Sequence, residues 1–288
     1  MKSLSIIICT HNRNELLAHC LSSIEKTDYQ QFFDIIVVNN AAKNLEIDLS
    51  KFSDLTVIHE RNVGLSYARN AGLQKSDSKW LLFLDDDAKL KMGSLQEIFG
   101  MINQDDFDMF TGIWTEWFVN TPPKWLPHST GNYILKGEHK IREIRDDYVS
   151  GGIMIINRQK LLEIGGFPTH LGMTGNKVAY GDETWVENEF KKRGWSVGIN
   201  PYIVIEHLVG EHKYKLRWHL EAQYAKGRDT YAIHGGNKIS IFLGLIVRVL
   251  FGWIKPLVKL CIRKKFYIQN FIIDYIGSVL YKWGAITS

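Results

Sequence analysis

"WLLFLDDDAKL", residues 80–90, decides how this chain is read. Trp80 to Leu84 is a continuous apolar run of strand length, and a strand apolar on both faces is one buried on both faces. It ends on Asp85, Asp86 and Asp87. Three like charges at a strand end repel one another and pack poorly. They are good oxygen ligands for a hard cation such as Mg²⁺ or Mn²⁺, which offsets their repulsion while a diphosphate supplies further oxygens. A solvated turn that caps the following helix is the plainer alternative.

The same arrangement recurs towards the N-terminus. "LSIIICT" (4–10) is apolar throughout and runs into THNRN, and "FDIIVVNN" (33–40) and "LTVIHE" (55–60) end likewise in polar residues. Between them, "NELLAHCLSSIEK" (14–26) sets Leu16, Leu17, Cys20, Leu21 and Ile24 at helical spacing, and "GLSYARNAGLQKS" (64–76) turns Leu65, Ala68 and Leu73 inward. Apolar strands separated by helices predict a parallel sheet covered on both sides, an α/β fold. Ligands of such sheets sit at the carboxyl ends of the strands, where THNR, VNN, HERN and DDD all fall.

The rest of the chain is less regular. "FDMFTGIWTEW" (107–117) predicts a strand, and residues 118–147 are polar and aperiodic, which predicts a long functional loop. "SGGIMIINRQKLLEIGGF" (150–167) predicts a loop, a strand and a short helix. "GDETWVENEFKKRGW" (181–195) predicts a helix capped by Asp182 and closed near Gly194, and "SVGINPYIVIEH" (196–207) a strand. From Ile239 onward, Arg248, Lys255, Lys259, Arg263, Lys264, Lys265 and Lys282 stand against one acid, Asp274, with aromatics interleaved. Basic amphipathic helices of this kind suit an anionic membrane surface; a helical hairpin packed on the preceding domain, or a homodimer interface, is the alternative. The longest apolar stretch, Ile239 to Leu260, is interrupted by Arg248, Lys255 and Pro256, short of a clean span of about 20 residues.

Length and composition bound the partners. The 288 residues suffice for one large domain, or one with a small appendage. A formal net charge of +4 gives no bulk basicity of the kind a nucleic-acid partner needs. Cys9, Cys20 and Cys261 are odd in number and far apart, which favours a reducing cytoplasm over a disulfide framework. The apolar run after Lys2 is too short for a secretory signal.

Six segments, "SIIICTHNRNELLAHCLSSI", "DIIVVNNA", "ERNVGLSYARNAGL", "WLLFLDDDA", "GGIMIINRQKLLEIGGF" and "YGDETWVENEFKKRGW", come in the order and at about the spacing of a known family. Together they resemble a family 2 glycosyltransferase with the GT-A fold, a Rossmann-like nucleotide-diphospho-sugar transferase domain. The resemblance implies transfer of a sugar from a nucleotide diphosphate sugar to an acceptor hydroxyl, usually with inversion, and with Mg²⁺ or Mn²⁺.

Residue by residue, the resemblance implies that Thr10, Asn12 and Arg13 line the nucleotide pocket after the first strand. Asn39 stands where the family usually has a base- or ribose-binding Asp; an amide lacks the carboxylate's two-acceptor grip. Asn62, Gly64, Arg69 and Asn70 match a family segment in "NVGLSYARN", with Arg69 either pairing with a phosphate or bridging a helix to an acid of the triplet. Asp85 and Asp87 match the family's D-x-D, Asp87 as metal ligand and Asp85 as ligand or ribose partner, with Asp86 able to replace either. Gly151 and Gly152 border the donor sugar. Glu183 matches the catalytic base, which takes the hydroxyl proton on the acceptor side. Asp182 caps the same helix and is the alternative base. His207 matches a family histidine near the metal or diphosphate, as a third ligand or a phosphate donor. His212 lacks the neighbours a zinc site needs. One of Trp114, Trp117 and Trp125 is expected to line the acceptor groove.

The expectation is a GT-A domain over residues 1–235 followed by a basic amphipathic helical segment over 236–288. It acts on a saccharide or lipid-linked saccharide in surface-glycan or polysaccharide synthesis, peripherally at the cytoplasmic face of the cell membrane. A nucleotidyltransferase is disfavoured because "CTHNRNE" has no glycine to cradle a triphosphate, and a nicotinamide enzyme because no G-x-G-x-x-G follows the first strand. A non-catalytic scaffold of the same fold gains support only from Asn39.

Overall fold

The computed structural model describes residues 2–25, 30–52, 54–126, 130–175 and 177–288. Lys26 of the first predicted helix and residues 127–129 of the predicted loop lie outside them. The apolar runs form strands β1 (Leu4–Thr10), β2 (Phe33–Asn39), β3 (Leu55–His59) and β4 (Trp80–Asp85). They pair in parallel in the order β3-β2-β1-β4. Parallel neighbours need crossover connections. Helices α1 (Asn14–Glu25) and α2 (Leu65–Lys75) supply two of them, and an irregular segment links β2 to β3.

Strand side chains alternate between the sheet's faces, so β1 and β4 feed two separate cores. Ile6, Ile8, Leu82 and Leu84 pack with residues of α1 and of α3 (Ser94–Gln104). Ile7, Leu81 and Phe83 pack with residues of α2, of α4 (Arg158–Glu163) and of α5 (Asp182–Lys192). In α1, Leu17, Cys20, Leu21 and Ile24 are no more than 1% exposed, as their spacing demands. Fully burying a side chain of this size contributes roughly 1.5–3 kcal/mol. The register also gathers polar ends, with Thr10 beside Asn39 and Cys9 beside Asp85.

Beyond β4 the strands reverse. β5 (Ala88–Leu90), β6 (Met109–Trp117), β7 (Arg142–Glu143), β8 (Ile153–Asn157) and β9 (Val197–Leu208) extend the order to β3-β2-β1-β4-β8-β6-β9-β5, with β7 paired to β9. β8 runs antiparallel to β4, so Gly151 and Gly152, just before it, arrive at the carboxyl end of β4. β5 runs antiparallel to β9 and sets Ala88 opposite His207.

The chain groups into two compact units. One comprises Met1–Thr115, Asn132–Gly175 and Asp182–His207 and contains nearly all of the sheet; the other comprises Glu116–Gly131, Asn176–Gly181 and Leu208–Ser288. The second unit contains α6 (Leu216–His234), α7 (Lys238–Phe251), α8 (Ile254–Ile262), α9 (Ile268–Ile272) and α10 (Ser278–Thr287). There α6 and α10 approach to backbone contact, because a Cβ on Gly227 would lie 1.8 Å from the Tyr281 carbonyl oxygen and one on Gly284 2.1 Å from that of Tyr224.

In the first unit β6 and β9 approach almost as closely, since a Cβ on Gly112 would lie 2.3 Å from the Ile203 carbonyl oxygen. Gly112→Val should therefore cost about 1–3 kcal/mol of stability in urea denaturation. Wild-type stability would mean that the two strands separate freely at this point.

Candidate active site

The acid triplet points in alternate directions. Asp85 ends β4, and Asp86 and Asp87 form the turn into β5. Asp86 turns inward and is 0% exposed, while the side chains of Asp85 and Asp87 keep 29% and 16% of their surface. His207 Nε2 lies 3.5 Å from Asp85 Oδ2 and 3.4 Å from Asp87 Oδ1. One donor atom from each of these three residues falls within 4.8 Å of the others. Gly152 borders the cluster: a Cβ there would stand 3.0 Å from His207 Cδ2 and 3.4 Å from Asp85 Oδ2.

Two arginines hold the acids. Arg13 Nη1 donates to Asp87 Oδ2 at 3.1 Å, and its Nη2 lies 2.8 Å from Asp86 Oδ1 without hydrogen-bond alignment. Arg69 is buried on α2. It donates to Asp182 Oδ2 at 2.5 Å and to the Gly151 carbonyl oxygen at 2.8 Å, and approaches Asp85 Oδ1 at 3.5 Å. Burial works against ionisation of Asp85, but the hydrogen bond from His207 and the charge of Arg69 prevail and lower its pKa. Burial dominates at Asp86 and pushes it up to about 7, against Arg13 and a nearby Thr10 hydroxyl that makes no aligned bond to it. Burial also pushes the Cys9 thiol up to about 12, so this neighbour adds no thiolate.

The next acid pair departs from the capping expectation. α5 begins at Asp182 itself, and that carboxylate accepts from Arg69 instead of closing the helix end. A buried guanidinium with several donors to satisfy outcompetes a backbone N–H for the carboxylate. Glu183 follows and retains some solvent contact. Burial, then the charge of Asp182 and a hydrogen bond with it, raise the Glu183 pKa well above the usual carboxylate range, and Arg69 only partly opposes this. A Cβ on Gly151 would meet Glu183 Cδ at 3.3 Å.

The polar ends of β1 and β2 are more structural than their motifs suggest. Asn39 is 0% exposed; its Nδ2 donates to the Lys43 carbonyl and its Oδ1 accepts from Ala41 N–H, so it shapes the loop after β2. Asn40, which no motif singles out, gathers that edge. Its Nδ2 donates to the carbonyls of Glu60 and Asn62, and its Oδ1 accepts from Gly64 N–H at 2.8 Å. Asn12 adopts the left-handed conformation at φ 56°, which Asn tolerates better than most residues. Asn70 bonds the backbone of Phe167 in both directions and so fixes α2 to the turn after α4. Trp114 lies 6.1 Å from His207, ring to ring. Trp125 is 8% exposed in an apolar cluster of the second unit with Leu126 and Val209, and Trp117 also belongs to that side of the chain at the end of β6.

The first unit suits a divalent cation. Two carboxylate oxygens and an imidazole nitrogen converge, Asp86 holds buried oxygens with no aligned partner, and five acids stand against Arg13 and Arg69.

Residues 5–165 match the model of glycosyl transferase family 2, over half of the chain. The chain belongs to glycosyl transferase family 2. Among relatives of this glycosyltransferase, a glucosyl-dolichyl phosphate glucuronosyltransferase of Haloferax volcanii is 24% identical over 74% of this chain and 72% of that protein. A GalNAc(5)-diNAcBac-PP-undecaprenol beta-1,3-glucosyltransferase of Campylobacter jejuni is 27% identical over 68% of this chain and 62% of its own. In fold, the glycosyltransferase resembles a mannosyltransferase of Pyrobaculum calidifontis solved with GDP-Man and Mn²⁺, with a TM-score of 0.65, 14% identity and coverage of 99% of this chain and 87% of that one. The GT-A fold expected from the sequence is therefore present, with helices at the C-terminus.

The buried Asp86 gives a test of these electrostatics. With a pKa of about 7 when folded against an ordinary 3.8, the folded state holds a proton that the unfolded state has lost between those values. This group therefore removes stability as pH rises through that window. In chelator-treated protein, Asp86→Asn should gain on wild type between pH 4 and 8, by about 1–3 kcal/mol in chemical denaturation. A difference independent of pH would show that Asp86 stays ionised throughout.

Proposed function

We propose that this glycosyltransferase is metal-dependent and inverting. It would move a sugar from a nucleotide diphosphate sugar to a hydroxyl of a saccharide or lipid-linked saccharide, in surface-glycan or polysaccharide assembly at the cytoplasmic face of a membrane. One observation carries the chemistry: a single guanidinium, Arg69, bonds Asp182 beside the base candidate Glu183 and also reaches Asp85 of the metal cluster. The names of the two relatives, which specify dolichyl phosphate and PP-undecaprenol, support a lipid-linked acceptor.

Asp85, Asp87 and His207 would hold the cation. Because one donor is an imidazole nitrogen, Mn²⁺ suits the set better than Mg²⁺. When bound, the cation neutralises the departing diphosphate. Arg13 bonds Asp87 and faces Asp86; Thr10 and Asn12 at the end of β1 and Asn62 and Gly64 after β3 flank the nucleotide, with the segment after β3 held by Asn40 and the loop after β2 shaped by Asn39. Gly152 leaves room for the donor sugar beside Asp85. Glu183 takes the acceptor's hydroxyl proton, opposite the leaving group, and its raised pKa makes it a stronger base. Asp182 positions Arg69 and sets the affinity of Glu183 for that proton. In this division of labour residues 1–235 carry the transfer chemistry and 236–288 serve attachment.

Calorimetric titration of nucleoside diphosphates with Mn²⁺ tests the cluster. Asp87→Ala should abolish metal-dependent binding with the fold intact, and unchanged affinity would sink the assignment.

The base has its own test. Glu183→Gln should keep donor binding and lose turnover by a factor on the order of a hundred or more. The acid limb of the wild-type kcat/KM profile should lie above the ordinary carboxylate range, since Glu183 must be ionised to act. Asp182→Asn removes the neighbouring negative charge and should move that limb to lower pH. A limb that stays in place assigns it to a different group.

A further inference from the structure

We propose that α7 and α8 form a docking surface for an anionic lipid bilayer, lying in the plane of its interface without crossing it. This deepens the membrane part of the proposed function and draws nothing from the donor site.

A helix in water normally turns its apolar stripe towards the protein. α7 does the reverse: Ile239, Phe242, Leu243, Val247, Leu250 and Phe251 are each 50–71% exposed. At 3.6 residues per turn these side chains cover about half of the circumference. The inward side holds Leu245, 9% exposed, and Gly244, where a Cβ would lie 3.7 Å from the Lys282 side chain. α8 repeats the pattern, with Ile254, Val258 and Ile262 45–71% exposed and Pro256 buried. An uncovered patch of this extent marks an interaction surface.

Charge selects the occupant. Residues 236–288 contain eight Lys and Arg and one acid, a net +7; the complete chain is +4, so the residues before Gly236 sum to −3. Arg263, Lys264 and Lys265, all exposed, follow α8 directly. A second copy would set one strongly cationic segment against another, whereas anionic headgroups neutralise it.

Charge and packing select the in-plane arrangement. Within Lys238–Ile262 an 18-residue window has a mean hydropathy of 2.0, so the segment would pass as a span by composition. Gly252 and Trp253, between α7 of 14 residues and α8 of 9, keep helical backbone angles, and 25 residues at 1.5 Å each reach about 37 Å, so length alone would permit a crossing. A span would, however, submerge Arg248, Lys255 and Lys259, the last paired with Asp274 at 2.6 Å, and would take Leu245 and Pro256 out of their burial against the protein. In the interface, these cations reach lipid phosphates while the apolar arcs insert.

The full chain carries its own reporter. Cys261 is exposed on α8 between Val258 and Ile262, whereas Cys20 is buried and Cys9 half-buried, so an environment-sensitive thiol fluorophore labels Cys261 selectively. Vesicles of phosphatidylglycerol and phosphatidylcholine should blue-shift this probe and sediment the protein, and pure phosphatidylcholine should do so far less. The pair Phe242→Glu with Leu250→Glu, and the triple Arg263→Ser, Lys264→Ser, Lys265→Ser, should each lose at least tenfold in vesicle affinity with Mn²⁺-dependent nucleotide binding unchanged. Wild-type vesicle affinity in both variants overturns the proposal. So does a concentration-dependent dimer, dissolved by the Glu pair in the absence of any vesicle binding, which assigns the surface to a second copy. Resistance of the bound protein to alkaline carbonate overturns the in-plane arrangement. Vesicle binding by a wild-type protein that takes no nucleotide would support this surface while removing the donor-site reading.

Discussion

The buried guanidinium of Arg69 joins segments that are remote in sequence. From α2 it bonds Asp182 at the start of α5 and the Gly151 carbonyl before β8, and it reaches Asp85 at the end of β4. Its face also lies 5.4 Å from the Phe167 ring centre. A charge taken out of water is tolerated only when its partners satisfy it, and a planar group with five donors is suited to several partners at once. Whatever binds beside Asp85 therefore shares a rigid frame with the helix that carries Glu183.

That frame leaves negative charge in surplus. Asp86 illustrates the cost, since its carboxyl is buried and its pKa lies near 7. Charges of one sign gathered at a sheet's carboxyl edge store repulsion that a cation relieves on binding. Asp85 meets the same burial with a different result, for the hydrogen bond from His207 and the charge of Arg69 hold its pKa low, whereas burial and the neighbouring Asp182 raise that of Glu183. One polar neighbourhood thus supports two kinds of carboxylate, distinguished by their surroundings and not by residue type. The α7–α8 surface inverts the logic, with apolar side chains outward and cations at their margins.

Much of this was legible in the chain. Apolar run length and helical spacing located β1 to β4, α1 and α2, because both patterns depend on neighbours a few residues away. The triplet stands out as chemically apt residues at a strand end, while the acid pair at 182–183 and His207 come forward through the resemblance to the family. Asn39 was harder to place. Its motif position suggested a ligand contact, yet its amide closes the loop onto Lys43 and Ala41, and Asn40, with no distinguishing pattern, became the hub of that edge.

The sequence by itself determined the parallel half of the sheet, the polar clusters at its edge and the basic, apolar character of the tail, since composition and short-range periodicity suffice for each. Only the tertiary structure decided which atoms meet. Arg69 and Asp182 are 113 residues apart, and no local pattern indicated that this contact would take the carboxylate from the helix end. His207 reaches the triplet because β5 and β9 pair in one antiparallel register; a shift of one residue would turn it to the other face. Register and crossover are properties of the assembled sheet, settled by packing across its two cores.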